Sequence, residues 1–228
     1  MAYSDARCSK EYRVRSFITT IGKWVLAKAD TVGIATPDII YGFGDRWLRL
    51  VSKTSTEEAH AVADVLYEEY EPDSVIDFGC GLGRYLTGFQ AHDVTVQGVE
   101  GYSEARDHVE IPTDALTIRD LREPLELDDG YELALCIETA EHIPSRFADT
   151  LVETVTAAAP RVVFTAAPPG NRGTHHVNEA PREYWIEKFQ SNGFSYAAEE
   201  TARLQESIHS EIAAADWVED RPFVFVQQ

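Results

Sequence analysis

Val75-Ile76-Asp77-Phe78-Gly79-Cys80-Gly81-Leu82-Gly83-Arg84 is the stretch that decides how this chain folds. Ser74 to Phe78 reads as a short buried strand with an acid near its end, and three glycines follow at alternate positions. Glycine has no Cβ, so such a turn can adopt left-handed dihedrals and lay its N–H groups against a nucleotide-like molecule at the start of the next helix. That pattern alone serves dinucleotide and nucleoside cofactors alike. Beyond the predicted helix Arg84 to Ala91 comes a second strand, Val94 to Val99, which ends in Glu100 with Gly101 beside it. An acid there, seventeen positions past Gly83, is placed to accept hydrogen bonds from both hydroxyls of a ribose.

A glycine turn and a ribose acid fit NAD and S-adenosylmethionine equally. Three features favour the second. Asp77 stands before the glycines, the register is Asp-x-Gly-x-Gly-x-Gly, and Leu133 to Ile137 leads into Glu138-Thr139-Ala140-Glu141-His142-Ile143-Pro144. From Ser74 onward the chain resembles the class I S-adenosylmethionine-dependent methyltransferases, in particular the small-molecule branch that includes the ubiquinone-pathway O-methyltransferases. The resemblance implies an α/β, Rossmann-like three-layer sandwich with a mostly parallel sheet of about seven strands, the last antiparallel. It also implies a cofactor held by Gly79, Cys80, Gly81 and Gly83 with Asp77 behind them, by Glu100 and Gly101, and by Glu138. Asp120-Leu121, at the end of a third strand Leu116 to Arg119, is where the family places an acid on the adenine amino group, with Asp114 as the rival.

Glu138-Thr139-Ala140-Glu141-His142 matches the Glu-x-x-Glu-His of the ubiquinone-pathway enzymes, where the similarity implies a divalent cation near the acceptor oxygen. A Glu-Glu-His set suits Mg²⁺ or Zn²⁺. The competing reading lets Glu138 touch the cofactor while Glu141 and His142 cap the following helix, and the metal ligands stay unassigned. For chemistry, an acceptor hydroxyl must lose a proton, and histidine is the side chain best matched to neutral pH. His142 follows the fourth strand, and His175 and His176 follow the fifth, Arg161 to Ala166. His142 is the first candidate base and His176 the second, with Asn178 as an orienting group. Of the adjacent pair His175-His176, one is expected to face substrate and the other solvent.

The chain has 228 residues, 44% of them hydrophobic, enough for one sizeable core. A helical N-terminal lid over residues 1–55, including a helix Tyr12 to Lys28, is expected to precede a cofactor-binding domain over 56–228. No run of eighteen apolar residues occurs and the start lacks a signal-peptide pattern, so a cytoplasmic protein without a membrane span is expected. Cys8, Cys80 and Cys136 are scattered and read as reduced. The net charge is −19, yet residues 1–53 carry nine bases against five acids, so the remainder carries −23. With five lysines against fifteen arginines, this surface reads as adaptation to high salt, the alternative being an ordinary acidic cytoplasmic protein. A duplex nucleic-acid substrate is disfavoured, since phosphate contacts need a basic stripe.

Other signals carry less. Tyr184-Trp185-Ile186-Glu187-Lys188 fits the Tyr-x-x-x-Lys of short-chain dehydrogenases, but the glycine turn lacks that family's register. Ala167-Pro168-Pro169-Gly170 lacks the flanking residues of an adenine-N6 methyltransferase motif, and no Pro-Cys dipeptide exists for cytosine-C5 chemistry. The expected activity is methyl transfer from S-adenosylmethionine to an oxygen or nitrogen of a small molecule. The alternatives are a non-catalytic cofactor-binding protein and an NAD-dependent dehydrogenase. Oligomeric state and acceptor identity have no motif.

Overall fold

The computed structural model describes residues 51–127, 130–171, 173, 175–212 and 222–228. The expected N-terminal helix and almost all of the expected lid lie outside the described residues.

Helix α1 (Thr56–Tyr70) opens on Ser55, whose hydroxyl accepts from the Glu58 N–H while the Glu58 carboxylate accepts from the Ser55 N–H. This reciprocal capping box replaces the Thr56 cap that the sequence suggested. The helix stops at Glu71 in a left-handed conformation, just before Pro72. Strand β1 (Ser74–Phe78) leads through the glycine turn into helix α2 (Arg84–Gln90), and strand β2 (Thr95–Glu100) follows. Strand β3 (Leu116–Ile118) is an edge strand, as expected. Then come β4 (Leu133–Cys136), α3 (Ala148–Ala158), β5 (Arg161–Phe164), α4 (Arg182–Ser191), β6 (Phe194–Tyr196), α5 (Ala198–Glu211) and β7 (Phe223–Gln227). The last helix begins four residues earlier than the pattern from Ala202 suggested, and the expected stretch to Trp217 falls outside the described residues.

The seven strands lie in the order β3-β2-β1-β4-β5-β7-β6. β1 pairs in parallel with β2 and β4, while β7 runs antiparallel to both β5 and β6. Alternation along each strand divides the core in two. Val75, Leu133, Leu135, Val163 and Val224 face a cluster with Leu66 of α1, Leu86 of α2 and Leu204 of α5. Ile76, Phe78, Ala134, Cys136, Val162 and Phe164 face another with Leu151 and Val155 of α3 and Trp185 and Phe189 of α4. In the second cluster Phe189 stacks on Phe225 at 3.8 Å between centroids, and Phe164 meets Phe189 edge-on at 5.2 Å. Strand order reverses direction at β1 and β4, so their C-terminal ends open a crevice, the usual place for a ligand in an open α/β sheet. Among the described residues no helix is long and apolar enough to cross a membrane.

Candidate functional site

The turn after β1 is tied to the end of β2. The N–H groups of Gly79 and Cys80 donate to the Val99 carbonyl at 2.8 and 3.1 Å. The N–H of Gly81 donates to Glu100 Oε2 at 2.9 Å, and Tyr102 N–H donates to Glu100 Oε1 at 3.0 Å. Gly79 has φ +79°, and a Cβ there would overlap the Thr139 side chain. Glycine is therefore required at this position twice, by dihedral and by space, and the second requirement brings the segment after β4 directly against the turn. Asp77 is buried behind it. Burial first and the Glu100 carboxylate second push the Asp77 carboxyl up to about 8.

A cleft of about 390 Å³ lies over these strand ends. Of the expected cofactor residues, Gly79, Cys80, Gly81, Glu100, Gly101, Asp120, Leu121 and Glu138 line it. Asp77 and Gly83 stand behind it, Gly83 as the left-handed residue that starts α2. Between the two rival acids, Asp120 lines the cleft, whereas Asp114 is exposed in a short 3₁₀ turn. Arg122, also lining the cleft, holds both Asp120 oxygens, with Nη2 at 2.6 Å and Nε at 2.9 and 3.0 Å.

The far side of the cleft is built where the loops after β4 and β5 dock. Glu138 has φ +50°, an uncommon value for a non-glycine residue at a functional cleft. Thr165 pins it: Thr165 Oγ1 accepts from the Glu138 N–H at 2.7 Å and donates to Glu138 Oε1 at 2.9 Å. The Glu141 carbonyl accepts from the N–H groups of Val177 and Asn178 at 2.9 and 3.0 Å, which fastens the second loop to the first. This docking sets His142 and His176 edge to face, 5.1 Å apart. His142 Nδ1 lies 3.3 Å from the His175 carbonyl, and His176 Nδ1 lies 3.1 Å from Glu179 Oε1.

Glu141 is fully buried, with its own backbone N–H, the Ala167 backbone and the Glu138 side chain beside its carboxyl group; His176 Nε2 approaches Oε1 to 3.9 Å. Burial, then the Glu138 carboxylate, pushes Glu141 up to about 8. Burial, then the neighbouring His176, lowers His142 to about 4, well below the match to neutral pH that made it the first candidate base. Neither Glu141 nor His142 caps the following helix, whose N-cap residue, Phe147, makes no side-chain cap hydrogen bond. Of the adjacent histidines, His176 lines the cleft and His175 contributes its carbonyl to His142. The group that orients His176 is Glu179, while Asn178 is buried with its Nδ2 unpartnered among the described residues. The Glu138, Glu141, His142 cation set implied by resemblance is not the set that gathers here. Glu141, His142 and His176 each offer a ligand atom within 4.8 Å of the others, without Glu138.

A model of the methyltransferase domain family matches residues 50–206, more than half of the chain. The chain belongs to the methyltransferase domain family. As a methyltransferase of this fold it uses S-adenosylmethionine as its cofactor. No curated protein matches its sequence. Among solved structures, it is similar to DesVI of Streptomyces venezuelae, with 13% identity, a TM-score of 0.59, and coverage of 79% of this chain and 95% of that one. The sugar N-methyltransferase KedS8 from Streptoalloteichus sp. ATCC 53650 shows 14% identity and a TM-score of 0.57 over 75% and 87% of the two chains. Magnesium protoporphyrin IX methyltransferase from Synechocystis PCC 6803, solved with bound S-adenosylhomocysteine, shows 17% identity and a TM-score of 0.53 over 96% and 100%. At these identities the shared property is the fold.

The dehydrogenase alternative falls with this assignment. Lys188 of the methyltransferase pairs with Asp149 at 2.6 Å and sits over the Tyr184 ring, and neither residue lines the cleft. Reading the sequence missed Arg122, Thr139, Thr165 and Glu179. A signal existed for two of them: Arg122 lies two residues after Asp120, and Glu179 three after His176.

Proposed function

We propose that this methyltransferase moves the methyl group of S-adenosylmethionine to an oxygen or nitrogen of a small molecule bound beside Glu141, His142 and His176. The observation that carries the reading is the close approach of Gly79 to Thr139, with the glycine turn and the histidine-bearing loops lining one cleft. In this reading the cofactor lies over Gly79 to Gly83, its ribose hydroxyls donate to Glu100, and Asp120 with Arg122 stands at the adenine end. The acceptor takes the opposite half, under Ile143 and His176. The sulfonium already activates the methyl group, so the protein contributes alignment for in-line displacement and exclusion of water.

An acceptor hydroxyl or ammonium loses its proton to the histidine pair. His176 is the better placed of the two, because it lines the cleft and its Nδ1–H donates to the Glu179 carboxylate, which leaves the lone pair on Nε2. A small polar acceptor is supported by solved relatives of the fold that include a sugar N-methyltransferase and an amino pentose methyltransferase. The methyltransferase should bind S-adenosylhomocysteine and not NADH in parallel titrations. Incubation with a deuteromethyl cofactor and a host-cell extract should then shift the mass of one small component. Labelled product confined to protein or nucleic acid would overturn the small-molecule assignment.

A further inference from the structure

Among the described residues three lysine or arginine side chains line the cleft, Lys53, Arg84 and Arg122. Two of them are committed to the protein itself. Arg122 grips both oxygens of Asp120, with Nη2 at 2.6 Å. Arg84 donates through Nε to Glu110 Oε1 at 2.9 Å and through Nη1 to the Thr54 carbonyl at 2.6 Å. The side chain of Lys53 makes neither an ion pair nor a hydrogen bond among the described residues. Lys188, the other lysine after residue 50, pairs with Asp149 at 2.6 Å. The backbone around Lys53 is nevertheless held on both sides. Val51 packs over Gly81, its Cγ1 3.1 Å from where a Cβ on that glycine would stand, and the Thr54 carbonyl takes the Arg84 bond just before the Ser55 capping box. An ammonium fixed at a cleft without a carboxylate partner, in a chain of net charge −19, marks a place for an anion. Its field also reaches the histidines. His142 is lowered first by burial and then by His176, and the Lys53 charge acts in the same direction. Asp77 and Cys80 at the glycine turn are raised by burial and by neighbouring carboxylates, without Lys53.

We propose that the acceptor is an acidic small molecule, and that Lys53 receives its carboxylate or phosphate group while the accepting oxygen or nitrogen lies at His142 and His176. This rests on the methyl-transfer reading and narrows it to one substrate class. An ammonium is a compact point charge with three donors, suited to either kind of oxyanion. His142, lowered to about 4, is uncharged at neutral pH, so of His142 and Lys53 only the lysine offers a full positive charge there. One such cation matches one anionic group. A nucleic acid, which needs a row of cations for its phosphates, would instead meet the −23 carried by residues 54–228. The cofactor brings a carboxylate of its own on its methionine end, and that group is the rival occupant of Lys53. The action of Lys53 on His142, and not on Asp77 or Cys80, favours the acceptor.

The host-cell extract is passed over an anion exchanger at neutral pH before incubation with the full chain and the deuteromethyl cofactor. The acceptor should be in the retained, anionic fraction of small molecules. With that fraction as substrate, Lys53→Gln should lower the labelling rate roughly tenfold when the fraction is limiting. The rate should approach wild type as the fraction is concentrated, a change in KM and not in kcat. Lys53→Arg should recover most of the loss and Lys53→Glu should deepen it, an order set by charge that a merely structural role would not give. S-adenosylhomocysteine and methylthioadenosine, which lacks the methionine carboxylate, are titrated against wild type and each variant. Both affinities should be unchanged. A loss of affinity for S-adenosylhomocysteine alone would move Lys53 onto the cofactor carboxylate and overturn the proposal. Acceptor activity found only in the unretained fraction would overturn it as well, as would a Lys53→Glu chain that labels as fast as wild type. If a chain that binds S-adenosylhomocysteine labels no small molecule from any fraction, the methyl-transfer reading itself fails, and this proposal with it.

Discussion

Replacing Glu100 acts on both cofactor binding and the integrity of the turn, since Ala also leaves the Gly81 and Tyr102 N–H groups without their acceptor. Its two carboxylate oxygens each already accept one backbone N–H, from Gly81 at 2.9 Å and from Tyr102 at 3.0 Å. A carboxylate oxygen can accept two hydrogen bonds, and in the proposed function two ribose hydroxyls donate to this pair as well. In Glu100→Ala those hydroxyls lose a charged acceptor, at a cost of about 1.5–3 kcal/mol. That corresponds to a roughly 10- to 150-fold rise in the dissociation constant for S-adenosylhomocysteine. Glu100→Gln is not a mild change here. Its single carbonyl can face only one of the two N–H groups, and its NH₂ must face the other donor. One buried N–H is left unpaired, costing about 1–3 kcal/mol of stability, or several degrees in Tm for a chain of this size. Calorimetric titration and thermal melts of wild type, Ala and Gln variants measure both effects. A folded Glu100→Ala protein that binds S-adenosylhomocysteine within twofold of wild type would refute the ribose assignment. A Glu100→Gln protein as stable as wild type would refute the account of the turn.

Two further outcomes are expected. Asp77 has its folded-state pKa raised from 3.8 to about 8, so between those values the native chain holds a proton that the unfolded chain has released, and this group's contribution to stability falls as pH rises through that window; the Tm advantage of Asp77→Asn over wild type should grow from pH 5 to pH 8 in the cofactor-free protein, and a constant difference would show that the carboxyl is ionised throughout. With −23 on residues 54–228, Tm should climb between low and molar KCl as self-repulsion is screened, and a flat response would leave the acidic surface without a salt-based reason.

The positions of the strands and the glycine-turn side of the cleft were legible because they rest on local patterns. Near-continuous apolar runs mark β1, β4 and β5 as strands buried on both faces, and the glycine register with Glu100 seventeen residues on is carried by one continuous βαβ unit. The Ser55-x-x-Glu58 capping box was equally local, yet the neighbouring Thr56 carried the same chemical signature one residue later. The acceptor half was less legible because its partners meet only through tertiary docking. Glu179 reaches His176, and Thr165 reaches Glu138, once the loops after β4 and β5 are fastened by the Glu141 carbonyl. Spacing along the chain said which residues stood at strand ends. It could not say that His176 would join His142 beside Glu141.

The two halves are not independent modules laid side by side. Gly79 belongs to the cofactor turn, but the atoms that forbid it a side chain are those of Thr139, one residue after Glu138 and two before Glu141. Moving the Thr139 segment would therefore shift both the floor of the cofactor cleft and the carboxylate between the histidines. Thr165 extends the same coupling to β5, since it fixes the backbone of Glu138 at φ +50° through its N–H and its side chain through Oε1. Under the proposed function, a site built in this way would hold methyl donor and acceptor in register through contacts at the ends of three adjacent strands, β1, β4 and β5. In-line displacement demands that kind of registration, because a misplacement of about 1 Å can cost two orders of magnitude in rate. The positive-φ glutamate and the space-restricted glycine are thus two parts of one positioning device, and substitutions at either should impair turnover more than they impair binding of the cofactor alone.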